Sequence, residues 1–202
     1  SNDGLVSDAL ELQWFGKPGP RPMMDRGARS PAPLYTNGRL FIHGDRRLFG
    51  LDAYNGTILW AHEIPQLRRV NMPRDCSNLN VLGDDLWVAV TDRLWRLDAQ
   101  TGAMLDTLEI PEALRPIDDP AWGFVHATPN SVIGTATTLH ATYRGAEGEW
   151  YDKPGVEAEA VLGSAMFAVH PESGELLWSY TGSHIVHPTI TVDAETIYFV
   201  ED

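Results

Sequence analysis

The chain has 202 residues, 43% of them hydrophobic, which is enough apolar surface for a substantial core. Its net charge of −13 disfavours nucleic acids and anionic membranes as partners, because both are bound through clustered Lys and Arg. The single cysteine, Cys76, excludes an internal disulfide, a Cys-x-x-Cys-His haem site and a cysteine-based zinc site. The sequence has no run of about 18 apolar residues, so it predicts no membrane span.

One short pattern occurs three times, at residues 48–60, 94–106 and 166–178. An apolar run leads into Leu-Asp or Val-His, a glycine follows four residues after the Asp or His, and a second apolar run comes next. The first two copies are 46 residues apart, and residues 39–65 match 85–111 without a gap at 11 of 27 positions. A repeat of about 40–50 residues is typical of a stacked or radial array.

Each repeat predicts four short strands. The first unit, residues 32–65, begins with Ala32–Tyr35, an Asn-Gly turn and a second strand that ends at His43. Its third and fourth strands are Leu48–Asp52 and Ile58–Ile64, and these runs are too short for helices. Four antiparallel strands repeated at this interval form the blade of a β-propeller. The sequence therefore predicts an all-β fold.

The remaining repeats are less regular. The second blade covers residues 77–111, and the third covers 124–181, of which 139–162 are an insertion. Residues 187–202 predict two strands of a further blade, His187–Val192 and Thr196–Val200.

The N-terminal region also predicts part of a blade. Leu12-Gln13-Trp14 fits the closing strand of a preceding blade, and Ser1-Asn2 resembles a tag remnant. We therefore predict one propeller segment, residues 3–202, with three full blades and partial blades at both ends.

Three kinds of residue recur because the blade needs them. The glycines end a tight turn that requires positive φ; they are Gly56, Gly102 and Gly174. Asp52 and Asp98 can accept backbone N–H groups within that turn. Trp60 and Trp178 are expected to fill the space between neighbouring blades.

The repeated pattern resembles the repeat of pyrroloquinoline-quinone-type propellers, which reads apolar-Tyr/Phe-x-Leu-Asp-Ala-x-x-Gly-x-x-Leu-Trp. The resemblance extends over nearly the whole chain from Trp14. That superfamily includes quinoprotein alcohol and glucose dehydrogenases. It also includes non-catalytic members such as the outer-membrane assembly lipoprotein of Gram-negative bacteria. Residues 75–78 and 186–190 further resemble repeat regions of large uncharacterised bacterial proteins.

Complete members of the superfamily usually have about six to eight blades. The resemblance therefore implies that this chain is a piece of a larger propeller. It also favours a periplasmic or other extracytoplasmic location, although the residues themselves do not encode the compartment.

For the dehydrogenases, the resemblance implies a quinone site with a stacking Trp, a calcium ion, a catalytic Asp and often two adjacent cysteines. Cys76 is alone in this sequence, and the acidic pairs at 84–85 and 118–119 lie in predicted turns. His184 and His187 would point to opposite faces of a strand and make a poor chelate. We therefore expect no cofactor and assign no catalytic or metal residue in this chain.

Two groups of residues are candidates for binding a partner. Trp150 and Tyr151 lie in the Gly- and Glu-rich insertion, where they either contact a protein or carbohydrate or pack back over the blade. The basic cluster of Arg68, Arg69 and Arg74 either binds an acidic group or is solvated.

The leading hypothesis is a non-catalytic binding or scaffolding module in a larger bacterial protein. One alternative is a part of a PQQ-dependent dehydrogenase with calcium, whose active site needs further blades. Another is a sensor or adaptor region of a multidomain protein. Unpaired edges in the partial blades, such as Ile197–Val200, also predict self-association through the terminal blades.

Overall fold

The structure is a computed structural model that describes residues 33–44, 46–67, 78–138, 162–193 and 195–201. The described residues form short strands and two 3₁₀ turns, at Glu112–Leu114 and His187–Thr189. The strands are β1 (Leu34–Thr36), β2 (Arg39–Gly44), β3 (Arg47–Asp52), β4 (Ile58–Glu63), β5 (Leu79–Leu82), β6 (Asp85–Val90), β7 (Arg93–Asp98), β8 (Met104–Glu109), β9 (Pro120–Ala127), β10 (Val132–Thr138), β11 (Leu162–Val169), β12 (Leu176–Val186), β13 (Thr191–Val192) and β14 (Ile197–Tyr198).

These strands form three four-stranded antiparallel sheets and one two-stranded sheet, each in chain order. The sheets are β1 to β4, β5 to β8, β9 to β12, and β13 with β14. We call the first three sheets blades 1, 2 and 3. The first strands of adjacent blades contact one another, β1 with β5 and β5 with β9, which makes β4, β8 and β12 the outer strands. The predicted all-β propeller fold is confirmed.

The hydrophobic core lies between the sheets rather than within any one of them. One cluster joins blades 1 and 2 around Phe41, Trp60 and Leu86, and another joins blades 2 and 3 around Trp87 and Trp122. A third cluster joins blade 3 to the two-stranded sheet. Each blade is therefore stabilised mainly by apolar burial against its neighbours.

The repeated turn has the predicted chemistry. Gly56, Gly102 and Gly174 have φ of +73°, +74° and +68°. The carboxylate of Asp52 accepts the N–H groups of Tyr54 and Asn55 at 2.8 and 3.0 Å. Asp98 accepts the N–H of Thr101 at 2.6 Å.

In the third copy, His170 replaces the aspartate and performs the same task. Its Nδ1 accepts the N–H groups of Glu172 and Ser173 at 3.2 and 3.3 Å. The imidazole nitrogen is an acceptor that reaches the same backbone N–H groups, at slightly longer distances, so the turn is kept although its residue type changes.

Several boundaries differ from the sequence prediction. Blade 3 starts at Pro120 rather than at residue 124, and β12 continues to Val186 rather than ending at 181. Leu162, assigned to the insertion, is the first residue of β11, and the rest of the insertion lies outside the described residues. The proposed closing strand at residues 12–14 also lies outside them, as do residues 1–2.

The strand predicted over His187–Val192 is wrong in its first half. His187–Thr189 is a 3₁₀ turn, in which the N–H of Ile190 donates to the carbonyl of His187. Pro188 lies at the start of this turn and has no N–H for a sheet ladder, so a turn is favoured here. The strand predicted over Ile197–Val200 is also shorter in the structure, where β14 ends at Tyr198. The carbonyl of Val200 instead accepts the N–H of Val186 on β12.

Candidate functional site

The outer strand of each blade begins with two consecutive exposed apolar residues, which together we call the outer rim. Their exposed fractions lie between 40% and 52%. The six residues are Ile58 and Leu59 on β4, Met104 and Leu105 on β8, and Leu176 and Leu177 on β12. Each of these strands is the last in its sheet, so its outer backbone edge has no neighbouring strand in the blade. The same apolar feature is thus repeated in blades 1, 2 and 3.

Blade 1 is joined to blade 2 by an intercalated indole. Trp60 is only 9% exposed, and its Nε1–H donates to the carbonyl of Ala99 at 3.2 Å. A Cβ added to Gly102 would lie 2.7 Å from the indole, so glycine is needed for this close approach as well as for its φ. His62 donates from Nε2 to the carbonyl of Gly102 at 2.6 Å.

Blade 2 is joined to blade 3 by a guanidinium. Asp106 occupies the position of Trp60 and is exposed, with its carboxylate accepting the N–H of Thr107. Arg96 donates to Asp85 at 2.8 Å and to Glu172 of blade 3 at 2.6 Å. The guanidinium also lies 5.4 Å from the centre of the Trp87 ring.

The second junction is less completely filled than the first. A groove of about 380 Å³ remains between β8 and the turn at Ser173-Gly174. A Cβ added to Gly174 would meet only Leu108, at 3.4 Å. Gly174 is therefore uncrowded on the side where the indole of Trp60 covers Gly102 at the first junction.

Trp178 does not fill an interblade space, which corrects the sequence expectation. It pairs across the strands with Ala168, as Trp60 pairs with Gly50, but it is 39% exposed. Within the described residues, no turn of a further blade covers this indole as the 98–102 turn covers Trp60. Tyr180 on the same strand donates to Glu201 at 2.7 Å and packs edge-on against Phe199.

Buried polar side chains lie where one blade passes to the next. Asn78, before β5, approaches Nδ1 of His43 on β2 at 3.5 Å. His187 is buried after β12, and its Nε2 lies 2.7 Å from the hydroxyl of Thr135, which also accepts the N–H of Phe124. A Cβ on Gly123 would overlap the His187 ring. These polar contacts fix neighbouring blades relative to each other.

Electrostatic shifts in the described residues follow the same junctions and turns. Hydrogen bonds from Thr101 hold the pKa of the Asp98 carboxyl below its usual range. The hydrogen bond from Arg115 lowers the pKa of Glu109, and the hydrogen bond to Asp85 raises the pKa of Arg96. Each of these three shifts stabilises the charged form of a group that holds a turn or an ion pair.

The described residues do not fit a quinone site with calcium. They contain no group of three or more His, Cys, Asp or Glu that could hold a metal ion. The buried indoles are engaged in packing, since Trp87 contacts Arg96 and Trp122 packs edge-on against Phe167 at 4.9 Å. Asp85, the least exposed partner in the ion pairs of Arg96, is neutralised by that guanidinium.

The structure does not place the partner-binding residues that the sequence suggested. Trp150, Tyr151, Arg68, Arg69 and Arg74 all lie outside the described residues. His184 is exposed whereas His187 is buried, so these two histidines are not brought together. The sequence analysis did not predict the outer rim. Its signal was nevertheless visible, because two consecutive apolar residues, the second of them a leucine, stand at the same place in each of the three copies.

Solved structures establish the fold of the chain. A quinohemoprotein alcohol dehydrogenase from Pseudomonas putida HK5 is 18% identical, with a TM-score of 0.52 over 85% of this chain and 22% of that one. The quinohemoprotein alcohol dehydrogenase from Comamonas testosteroni is 19% identical, with a TM-score of 0.50 over 78% and 21%. A europium-containing methanol dehydrogenase is 17% identical, with a TM-score of 0.50 over 86% and 38%.

The chain therefore has a quinoprotein-like β-propeller fold, and it spans about a fifth to two fifths of the length of these structures. A computationally designed protein, Ika8, matches equally well, with a TM-score of 0.52 at 12% identity over 84% of this chain and 42% of that one. No protein-family model and no curated protein matches the sequence. Among the described residues, no helix is long and apolar enough to cross a membrane.

Proposed function

We propose that this chain is a non-catalytic, quinoprotein-like propeller segment that serves as a binding or scaffolding module in a larger bacterial protein. The observation that carries the proposal is the outer rim, because the same exposed apolar pair occurs at the start of the outer strand in three successive blades. Exposed apolar groups that recur on one side of a fold are typical of protein–protein contact. A protein partner fits these aliphatic side chains better than a carbohydrate does.

The strand context of the rim supports the same proposal. Leu59, Leu105 and Leu177 lie on outer strands whose free edges can accept an extended segment of another protein. Burial of one such leucine contributes about 1.5–3 kcal/mol at most. Three weak contacts on one partner would add through their effective concentration.

The polar groups of the described chain support a structural role. Trp60 and Arg96 join the blades, and Asp52 and Asp98 cap turns. A propeller whose reactive groups hold its own blades together is suited to present a surface. We place this surface in the periplasm or another extracytoplasmic compartment, on the strength of the repeat resemblance.

The test uses a rim variant in which Leu59, Leu105 and Leu177 are all changed to Glu. The variant and the wild type are immobilised and exposed to an extract of the source bacterium, and the retained proteins are identified by mass spectrometry. We expect the wild type to retain a partner that the rim variant loses. Tyr35→Glu, which adds one charge at an exposed residue of β1, is the control and should retain it. Equal retention by all three proteins would contradict the proposal.

The fold favours one alternative, a part of a PQQ-dependent dehydrogenase, because two of the similar structures are quinohemoprotein alcohol dehydrogenases. Because the active site of such an enzyme would need further blades, addition of PQQ and calcium to this chain tests whether the chain holds enough of that site to bind them by itself. A ligand at about a hundred times its Kd stabilises a protein by about 2.7 kcal/mol, which a thermal melt detects. We expect no change in Tm, and a clear rise would favour the dehydrogenase alternative.

A further inference from the structure

The sequence contains two Asn-Gly pairs, Asn37-Gly38 and Asn55-Gly56, and both lie in turns of blade 1 with the asparagine exposed. An asparagine that precedes glycine is chemically labile, because glycine has no side chain to hinder attack of its backbone nitrogen on the asparagine amide. The fold surrounds the two pairs differently, and this difference determines which of them can react.

The attacking nitrogen of the first pair is unengaged. No group of the described residues accepts the N–H of Gly38, and a Cβ built on Gly38 would meet nothing within 4 Å. Asn37 and Gly38 have φ of +44° and +76°, as in the tight two-residue turn of a hairpin, here the one that joins β1 to β2. The backbone nitrogen of Gly38 is therefore accessible to solvent beside the amide that it would attack.

The attacking nitrogen of the second pair is held. The N–H of Gly56 donates to the carbonyl of Asp52 at 2.8 Å, and Oδ1 of Asn55 accepts the N–H of Thr57 at 2.8 Å. Both hydrogen bonds have to break before the nitrogen of Gly56 can reach the side-chain amide. Blade 1 thus contains an unprotected Asn-Gly pair and a protected one.

We propose that Asn37 is a site of spontaneous deamidation, and that its conversion to an acid releases a contact between blades 1 and 2. The nitrogen of Gly38 loses its proton to water or hydroxide and forms a bond to Cγ of Asn37. The Cγ–Nδ2 bond then breaks, and the nitrogen takes up a proton from the solvent and leaves as ammonia. Water opens the resulting succinimide and gives aspartate or isoaspartate at position 37, so one water is consumed and one ammonia is released without oxidation or reduction. This proposal does not depend on the outer rim or on the proposed function.

The side chain of Asn37 is the donor in a contact that crosses the blade junction. Its Nδ2 donates to Oδ1 of Asp84, in the turn between β5 and β6 of blade 2, at 2.9 Å. An ionised acid at position 37 cannot donate, and it places a second carboxylate beside Asp84 in a chain whose net charge is already −13. The hydroxyl of Thr36 still donates to the carbonyl of Gly83 at 2.9 Å, so deamidation weakens the junction without separating the blades.

The first measurement follows both pairs in one sample. The folded 202-residue chain is kept in mildly alkaline buffer for several weeks, and brief trypsin digestion at intervals yields residues 30–39 and 48–68 as separate peptides. Mass spectrometry then quantifies the amide-to-acid conversion in each peptide. We expect position 37 to convert at least about tenfold faster than position 55, because each hydrogen bond that must break lowers the reactive population by up to about that factor.

The same measurement in guanidinium chloride shows whether the fold causes the difference. In the unfolded chain both glycine nitrogens are solvated, so the two positions should convert at similar rates. Equal rates in the folded chain, a faster reaction at position 55, or no reaction at position 37 under conditions where the unfolded chain reacts would overturn the proposal.

The consequence of deamidation is tested with Asn37→Asp, which has the product at this position from the start. Asn55→Asp is the matched control: the side chain of Asn55 accepts its hydrogen bond from Thr57, and a carboxylate accepts equally well. We expect hydrogen exchange of the β1 amides to be at least about threefold faster in Asn37→Asp than in the wild type, and unchanged in Asn55→Asp. Equal exchange in all three proteins would overturn the proposed release.

An exchange of donor and acceptor separates the loss of this contact from a general effect of charge. Asn37→Asp combined with Asp84→Asn places an amide donor opposite a carboxylate again and restores the net charge of −13, so its β1 amides should exchange at the wild-type rate. Asn37→Asp combined with Asp118→Asn has the same net charge, but its second change lies at an exposed residue between blades 2 and 3, and exchange should stay fast. Fast exchange in the first double variant, or equal recovery in both, would contradict a specific contact between positions 37 and 84.

Discussion

Trp60 and Trp178 offer an internal comparison, because the same residue at the same repeat position is covered in one case and uncovered in the other. We expect Trp60→Ala to lower the free energy of unfolding by about 3–5 kcal/mol, as buried aromatic residues do. The loss includes the hydrogen bond to Ala99, whose carbonyl would remain at a buried junction, at about 0.5–1.5 kcal/mol.

Trp178→Ala should lower the free energy of unfolding by about 2 kcal/mol less than Trp60→Ala does. The difference in exposure, 39% against 9%, corresponds to roughly 75 Å² of a tryptophan surface, or about 2 kcal/mol at 25 cal/mol per Å². Urea unfolding of both variants gives the two losses. Circular dichroism and fluorescence must give coincident transitions, because repeat arrays can unfold in parts.

Equal losses for the two variants would refute the reasoning. They would mean that the indole stabilises its own blade and that the turn of the next blade adds nothing. A larger loss at Trp178 would refute it more strongly, since the uncovered residue would then be the more important one.

Three further predictions concern the turns and the second junction. Gly102→Ala should lower the free energy of unfolding in urea by at least about 1–2 kcal/mol more than Gly38→Ala does. Both glycines have φ near +75°, but only Gly102 has the Trp60 indole within 4 Å. Because the pKa of Asp98 is lower in the folded protein than in the unfolded chain, where it is about 3.9, the ionised carboxylate stabilises the fold above that pH. The wild type should therefore be more stable than Asp98→Asn near neutral pH, and this advantage should be lost as pH falls from about 5 towards 2. An advantage that stays constant with pH would contradict the prediction. In double-mutant cycles the coupling of Arg96 to Asp85 should exceed its coupling to the largely exposed Glu172, which should be at most about 1 kcal/mol.

The parts of the structure that depend on local chemistry were predictable from the sequence. The positive φ of Gly56, Gly102 and Gly174 follows from the tight turn, and the aspartate caps follow from their side-chain reach. The burial of Trp60 was also predicted and is confirmed. These features need only neighbours along the chain or a regular repeat, so one sequence suffices to find them.

The parts that depend on distant partners were not predictable. The ion pair between Arg96 and Glu172 joins residues 76 positions apart, and no spacing rule connects them. The exposure of Trp178 depends on which residues follow β12 in space. The strand predicted at His187–Thr189 was an error of another kind, because Pro188 already indicated a turn in the sequence.

The three copies show that the position of Trp60 is coupled to the residue opposite it on the third strand. Gly50 faces Trp60, and a Cβ on Gly50 would lie 2.3 Å from the indole ring, so glycine allows the indole to lie over the strand. In blade 2 the same pair is Arg96 and Asp106, and the guanidinium takes over the contact with the next blade. In blade 3 the pair is Ala168 and Trp178, and the Cβ of Ala168 leaves no room for an indole in the position that Trp60 takes over Gly50. The identity of this pair therefore decides whether a blade contacts the next one through an indole or a charge, and the third pair presents an indole outward with no turn of the described chain to cover it.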